Sequence, residues 1–336
     1  MQPTIVGTGP IDDIAFDLLK PFGTIVIAPD PGEACMVPLL KQAVGLIVRG
    51  GGSATATMIQ AAENLKVIGR SGAGYESVDI VAANERKIPV VYAPGLGARA
   101  VAEAAITFML ALCKNLCYWD RQMKCGNWKS RFELRPRDLD QATLGIVGLG
   151  NIGQALARLT SPFRMTLLAY DPYVSPDKAE ELGVRLTSLT ELLSTSDFIS
   201  LHAPQMPETK AMINRERLRL VKRGAYFINL ARGGLVESLD VLYDALLDGT
   251  LAGVGLDVFE PEPPDVNHAI FKHPNCLTSP HVLGTSEAAM REVFRSMAED
   301  MVAVLRGVRP RFVVNPEALN GSATIAVNYD GEPETK

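Results

Sequence analysis

The sequence predicts an α/β protein made of two doubly wound parallel-sheet domains, and three observations predict it. Short apolar runs alternate with helical patterns along most of the chain, one glycine-rich turn joins such a run to a helix, and 336 residues suffice for two cores. Strands that alternate with helices must run parallel, because each crossover returns the chain to the same edge of the sheet.

The bulk numbers narrow the partners. At 47% hydrophobic and 21% charged the composition is ordinary globular, and a net charge of -5 without a long basic run argues against nucleic acid or an anionic membrane surface. No apolar stretch reaches the roughly 18 residues of a spanning helix, and the start MQPTIVGTGP lacks a basic stretch followed by an apolar one, so no signal peptide is expected. Five cysteines, odd in number and without CxxC spacing, fit a reducing cytoplasm. Cys113 and Cys117 lie one helical turn apart, but no histidine or acid completes a metal site. They read as buried, inert thiols, and no metal is expected.

In the first domain, strands are expected at 4–7, 24–28, 45–49, 66–69 and 89–92, with helices at 12–20, 37–43, 54–65 and 78–86. Ligands of such sheets bind beyond the carboxyl ends of strands. Three ends carry useful groups: Arg49 before Gly50-Gly51-Gly52, Arg70 before Ser71-Gly72-Ala73-Gly74, and Tyr92 before Ala93-Pro94-Gly95-Leu96-Gly97. The glycine turn can offer consecutive backbone N–H groups to a carboxylate, and Arg49 can pair with the same anion or a distal one. Surface ion pairing is the plainer reading of either arginine.

Residues 99–121 are apolar almost all the way round and predict one helix buried on several sides, between domains or against a second subunit. Trp119 and Trp128 follow it, where aromatic side chains suit an interface or ordinary packing.

The second domain opens at residues 144–171, LGIVGLGNIGQALARLTSPFRMTLLAYD. Gly148 permits a tight turn, Gly150 lets the backbone approach a pyrophosphate, and Gly153 lets the helix pack on the strand. The helix start at Asn151 and Ile152 offers free N–H groups to phosphate. Asp171, 18 residues after Gly153, can accept from both hydroxyls of an adenine ribose and repels a 2′-phosphate, so NAD is the expected cofactor. Further strands are expected at 198–204, 225–232, 252–259 and 276–280, with helices at 188–195, 215–221 and 238–248. Residues 286–307 predict a long amphipathic helix capped by Ser286, and residues 320–336 a polar surface tail.

Three of these strand ends finish on functional groups: Arg232, the acids Asp257, Glu260 and Glu262, and His281. An arginine, a carboxylate and a histidine suit hydride transfer at C2 of a 2-hydroxy or 2-oxo acid. The histidine exchanges the proton on oxygen, a carboxylate on its other nitrogen favours imidazolium, and the guanidinium grips the substrate carboxylate. Glu260 and Glu262 compete for the carboxylate role. His202 stands at a strand end near the cofactor with no acid in reach, and His268 and His273 read as solvated loop residues.

The ordered motifs GRSGAGYESVD, APGLGARAVAE, GIVGLGNIG, YDPY, LHAPQMPETKAMIN, INLARGGLVE, GLDVFEPEPP and SPHVLG make the chain resemble a D-isomer-specific 2-hydroxyacid dehydrogenase. The resemblance implies a flavodoxin-like substrate domain, 1–98 plus 286–318, with an inserted Rossmann NAD-binding domain, 99–285, and a tail at 319–336. It implies Arg232, Glu262 and His281 as the catalytic set. Gly148, Gly150, Asn151, Ile152, Gly153, Asp171, Ala203, Leu230, Asp257 and Gly284 would meet the cofactor, with Asp257 on the nicotinamide carboxamide. Arg49, Ala73, Gly74 and Arg232 would meet the small anionic substrate, and the apolar helix would build a homodimer. The Arg49 and GRSGAG pattern leans toward the phosphoglycerate dehydrogenase branch, although the chain is too short for that branch's regulatory domain. Gly97 and Ala100 replace an Asn and a Ser that many members carry, which leaves the particular 2-hydroxy acid open. The rival reading is a peptide-docking, NAD-sensing dimer like the C-terminal binding protein corepressors; phosphite oxidation on the same fold has no cue.

Overall fold

The computed structural model describes residues 3–319, so the expected tail at 320–336 lies outside the described residues. The chain divides into two units, residues up to Gly97 together with those from Ser286 on, and Ala98–Thr285.

The first unit holds β1 (Thr4–Gly7), α1 (Asp13–Leu19), β2 (Thr24–Ile27), α2 (Glu33–Leu40), β3 (Ala43–Val48), α3 (Ala56–Ala61), β4 (Val67–Arg70), α4 (Ile80–Glu85) and β5 (Val90–Val91). Its strands lie in the order β2-β1-β3-β4-β5 and every pair is parallel. The central strand β3 is buried at all but one position, as a strand covered on both faces must be. Asp12, Thr55 and Asp79 cap α1, α3 and α4 by accepting from Ile14, Met58 and Ala82 N–H groups. One helix departs from expectation. The pattern expected at 37–43 is met instead by α2, which begins at Glu33 and carries Pro38 inside it.

The second unit begins with a larger difference. The single helix expected at 99–121 is two, α5 (Ala98–Cys113) and α6 (Leu116–Lys124), bent by 57°. Asn115 between them has φ 52, a left-handed conformation that asparagine tolerates and that ends a right-handed helix. α5 buries Ala102, Ala105, Phe108, Met109 and Leu112 in its own unit's core, while α6 buries none of its side chains. Cys113 is buried, but Cys117 is exposed, which corrects its reading as a buried thiol. Among the described residues no single helix is long and apolar enough to cross a membrane.

There follow β6 (Thr143–Val147), α7 (Asn151–Thr160), β7 (Thr166–Tyr170), α8 (Pro176–Glu181), β8 (Val184–Leu186), α9 (Leu189–Thr195), β9 (Phe198–Leu201), α10 (Arg215–Leu218), β10 (Ala225–Asn229), α11 (Leu239–Leu247), β11 (Leu251–Leu256) and β12 (Cys276–Thr278). The sheet order is β12-β11-β10-β9-β6-β7-β8, again wholly parallel. The edge strand β8 and helix α8 were not expected, because three residues with Arg185 at the centre leave no readable alternation. Two cores lie against this sheet, one holding the apolar faces of α5 and α7 and one those of α9 and α11.

The chain then returns to the first unit with α12 (Glu287–Leu305), capped by Ser286 through the Ala289 N–H. Its Phe294, Met297, Ala298 and Met301 pack with Ile5, Ala15, Ile47, Val67 and Val91. Beyond it, Asn315 accepts from the Val90 N–H at 2.7 Å and fixes the strand end.

Register places the chemistry. Val147 pairs with Tyr170 and Leu201, Leu201 with Asn229, Asn229 with Leu256, and Leu256 with Thr278. These last strand residues form one row, so Gly148, Asp171, His202, Leu230, Asp257 and Ser279 all follow at one edge of the sheet, the usual ligand edge of such folds.

Candidate active site

The glycine turn follows β6, between β9 and β7 on that edge. Gly148 has φ +94, and a Cβ on it would come within 2.6 Å of the Ala203 backbone nitrogen, so only glycine fits both the turn and the neighbouring strand end. Its N–H donates to the Tyr170 carbonyl at 2.9 Å. Gly153 faces the Gly148 carbonyl, so α7 starts hard against the turn. Gly150, by contrast, has nothing within 4 Å of the place a Cβ would take, and no side chain caps α7 above it. The N–H groups at Asn151 and Ile152 thus face an open space at the positive end of a ten-residue helix. That is the cradle a pyrophosphate requires.

Asp171 is aimed by the backbone. One carboxylate oxygen accepts from the Leu149 N–H at 2.7 Å, and the other from Tyr173 and Val174 N–H groups at 2.8 and 3.2 Å. The carboxylate is therefore fixed beside the glycine turn, where an adenine ribose would lie and where its charge opposes a 2′-phosphate. The cradle and the acid together fit NAD.

The other side of the row holds a histidine–carboxylate pair. His281 Nδ1 lies 2.9 Å from Glu262 Oε2, and Glu262 Oε1 accepts from the Phe259 N–H at 3.0 Å. Of the two competing glutamates, Glu262 is thus the one that meets the imidazole. A carboxylate there holds the proton on Nδ1 and leaves Nε2 for exchange with a ligand. Both side chains are partly open to solvent, at 50% and 39%, so the pair is accessible to a small molecule. His281 itself has φ 53, a left-handed conformation that costs a residue with a Cβ about 1–2 kcal/mol.

Arg232 follows β10 and is half-buried. Asn229 staples its loop, donating to the Arg232 carbonyl at 2.9 Å and accepting from the Ala231 N–H at 3.0 Å, while Arg232 Nη1 donates to the Ala231 carbonyl at 2.7 Å. Leu230 is buried and Ala203 half-buried on the same edge. Gly284 packs on Val101, which a Cβ would approach to 2.7 Å. Asp257 is 3% exposed and accepts from the Ser279 hydroxyl at 2.6 Å and the Val282 N–H at 3.0 Å.

The remaining histidines separate cleanly. His202 is buried, its Nε2 lies 2.8 Å from Ser200 Oγ, and burial pushes its imidazole down to about 3, so it is neutral. His268 is not a solvated loop residue. It accepts from the Ile270 N–H and meets Asp240 at 3.1 Å. His273 is half-buried too, its ring edge-on to Tyr243 at 6.3 Å, because the loop folds back over α11.

In the first unit, Arg49 is half-buried, donates to the Pro10 carbonyl and lies 5.2 Å over the Phe294 ring. Ala73 is exposed and Gly74 half-buried in the turn after β4. Two residues that sequence reading missed, Asn229 and Ser279, orient their neighbours. Both are short polar residues at strand ends, a signal readable only once strand register is known.

Comparison with known proteins places the chain. It is 37% identical over 312 residues to a D-3-phosphoglycerate dehydrogenase of Methanocaldococcus jannaschii, covering 93% of this chain and 59% of that protein's length. A crystal structure of a Thermus thermophilus protein superposes with a TM-score of 0.86 at 34% identity, covering 93% of this chain and 99% of that one. The D-lactate dehydrogenase of Aquifex aeolicus, complexed with NAD and lactic acid, superposes with a TM-score of 0.81 at 30% identity, covering 90% and 96%. Residues 106–282 match the sequence model described as the NAD binding domain of D-isomer specific 2-hydroxyacid dehydrogenases. The chain belongs to the D-isomer specific 2-hydroxyacid dehydrogenase family.

Proposed function

We propose that this chain is an NAD-dependent dehydrogenase that interconverts a small D-2-hydroxy acid and its 2-oxo acid. The observation that carries the reading is the 2.9 Å pairing of His281 with Glu262 on the same sheet edge as the open glycine turn. Phosphoglycerate, glycerate or hydroxypyruvate, and glyoxylate are the substrates it favours. The relatives named as phosphoglycerate dehydrogenases support that branch.

In the reducing direction Arg232 grips the substrate carboxylate and draws electron density from the ketone. His281, protonated and paired with Glu262, gives its Nε2 proton to the ketone oxygen as C2 is reduced. NADH, when bound, supplies the hydride that C2 receives. In the oxidising direction neutral His281 takes the hydroxyl proton back. Arg49, Ala73 and Gly74 serve as the first unit's contribution to substrate binding, with the backbone N–H groups of the turn facing the anion. Asp257 takes the nicotinamide carboxamide.

The protein works as a homodimer. Leu116, Met123, Trp128 and Phe132 are 59%, 55%, 60% and 79% exposed on α6 and the segment after it, an apolar face that a second copy of the chain would cover. The direct test is NADH oxidation with a panel of 2-oxo acids. Turnover of at least one member supports the reading; none, from protein that binds NADH, contradicts it. Strictly NADH-dependent dimerisation without turnover would favour a sensing role instead.

A further inference from the structure

The left-handed backbone of His281 is held from both sides by one buried carboxylate that is not the one on its ring. Asp257 leaves β11 next to Leu256, which pairs with Thr278, so Asp257 and Ser279 are the next residues across the two strands. The Ser279 hydroxyl donates to Asp257 Oδ1 at 2.6 Å, and the Val282 N–H donates to the same oxygen at 3.0 Å. The Leu283 N–H reaches it at 3.4 Å and reaches Oδ2 at 3.3 Å. The Ser279 N–H meanwhile donates to the Leu256 carbonyl at 2.9 Å. His281, at φ 53, therefore sits inside a loop whose two shoulders are tied to a single oxygen that is 3% exposed as part of its residue.

We propose that Ser279 is a positioning residue for the acid/base step: through Asp257 Oδ1 it clamps the 279–283 turn and sets the His281 ring in its place against Glu262. The physical reason is strain. A non-glycine residue in the left-handed region relaxes to the right-handed or extended region unless its surroundings over-determine it. Here the over-determination is the short bond from Ser279 and the bond from Val282, each to a charged acceptor and so stronger than an ordinary hydrogen bond. Oδ2 makes one long bond and keeps acceptor capacity for the nicotinamide carboxamide. One carboxylate thus serves both the cofactor and the backbone of the proton donor. Glu262 thus meets the ring of His281, while Asp257 meets the backbone and side chain on either side of it.

The inference rests on the reading of His281 as acid/base, and the test keeps the two apart. The whole chain is compared as wild type, Ser279→Ala and Ser279→Thr. NADH affinity is followed by fluorescence, and kcat and KM are measured with whichever 2-oxo acid of the panel the wild type turns over fastest. Amide exchange at Val282 and Leu283 is followed without cofactor. Ser279→Ala is expected to lower kcat about ten-fold, as a small misplacement of a catalytic group does, with NADH affinity and KM within about two-fold of wild type. Exchange at Val282 and Leu283 is expected to speed up, and Ser279→Thr, which keeps the hydroxyl, to restore both. An unchanged kcat in Ser279→Ala, an equal loss of kcat and NADH affinity, or unaltered exchange each overturns the proposal. If the wild type turns over no 2-oxo acid, the dehydrogenase reading fails, while the exchange measurement still decides whether Ser279 clamps the turn.

Discussion

Glu262 stands between the chain and its histidine, with one oxygen 3.0 Å from the Phe259 nitrogen and the other 2.9 Å from His281 Nδ1. The backbone bond fixes the carboxylate, so its negative charge faces the imidazole at a set distance. Glu262→Gln keeps the shape and removes the carboxylate charge beside His281 Nδ1. The expected result is a fall in kcat for reduction of about 10²-fold, within the usual range for losing an acid/base partner, with NADH affinity retained. Steady-state kinetics and NADH fluorescence titration check it.

If Asp171 sets the preference between the two nicotinamide dinucleotides, removing its charge shifts that preference. Asp171→Asn removes the charge while leaving an oxygen for the Leu149 N–H, which bonds the carboxylate at 2.7 Å in the native chain. Hydrogen bonds to a charged group contribute about 1.5–3 kcal/mol, so NADH affinity should fall roughly 10–100-fold. NADPH affinity should fall less or rise. Calorimetric titration of both cofactors measures the ratio; a ratio equal to that of wild type would show that selectivity lies elsewhere.

His202 makes stability depend on pH. Its imidazole is neutral in the fold, with a pKa pushed down to about 3 by burial from an ordinary 6.5, so the unfolded chain binds a proton that the folded chain refuses. The contribution is fully present above pH 6.5 and is lost progressively as pH falls toward 3. At pH 5 the loss is about 2 kcal/mol. Urea unfolding of wild type and His202→Gln at pH 7.5 and pH 5 checks it: the wild type should lose about 2 kcal/mol more than the variant. Parallel losses would mean that His202 is not the group responsible.

The exposed face after α5 predicts an interface. Trp128 and Phe132 flank Arg131, whose guanidinium lies 5.2 and 4.7 Å over their rings. Replacing both aromatics with glutamate should shift sedimentation equilibrium from twice the chain mass to the chain mass at micromolar concentration, because charge cannot be buried there unpaired. A wild type that sediments as a monomer, or a variant that remains dimeric, would place the contact elsewhere.

What was legible in the sequence was whatever lies contiguous along it. The strand, glycine turn, helix and acid from Leu144 to Asp171 occupy one stretch, and each residue type there answers to a local requirement of the turn or the ligand. Arg232, Asp257 and His281 were legible as groups just beyond strands, although β10, β11 and β12 stop at Asn229, Leu256 and Thr278, two or three residues before the expected ends. The choice of Glu262 over Glu260 came only through the family resemblance and was not legible from the residues themselves, since it depends on how the Pro-rich loop after Phe259 turns toward His281. Nor was the break at Asn115, where the residues on either side read as one apolar helix and only a single backbone angle ends it. The clamp of Ser279 on Asp257 depends on the pairing of β11 with β12, and register between strands leaves no mark on either strand alone.

The role of His281 as the proton donor is the claim on which the rest depends. Its most direct test is His281→Ala, with kcat for a 2-oxo acid and Kd for NADH measured on the same protein. The expected result is a fall in kcat of about 10²–10⁴-fold with the Kd for NADH moving less than about two-fold. Equal losses in turnover and NADH affinity, or turnover that survives the substitution, would contradict it.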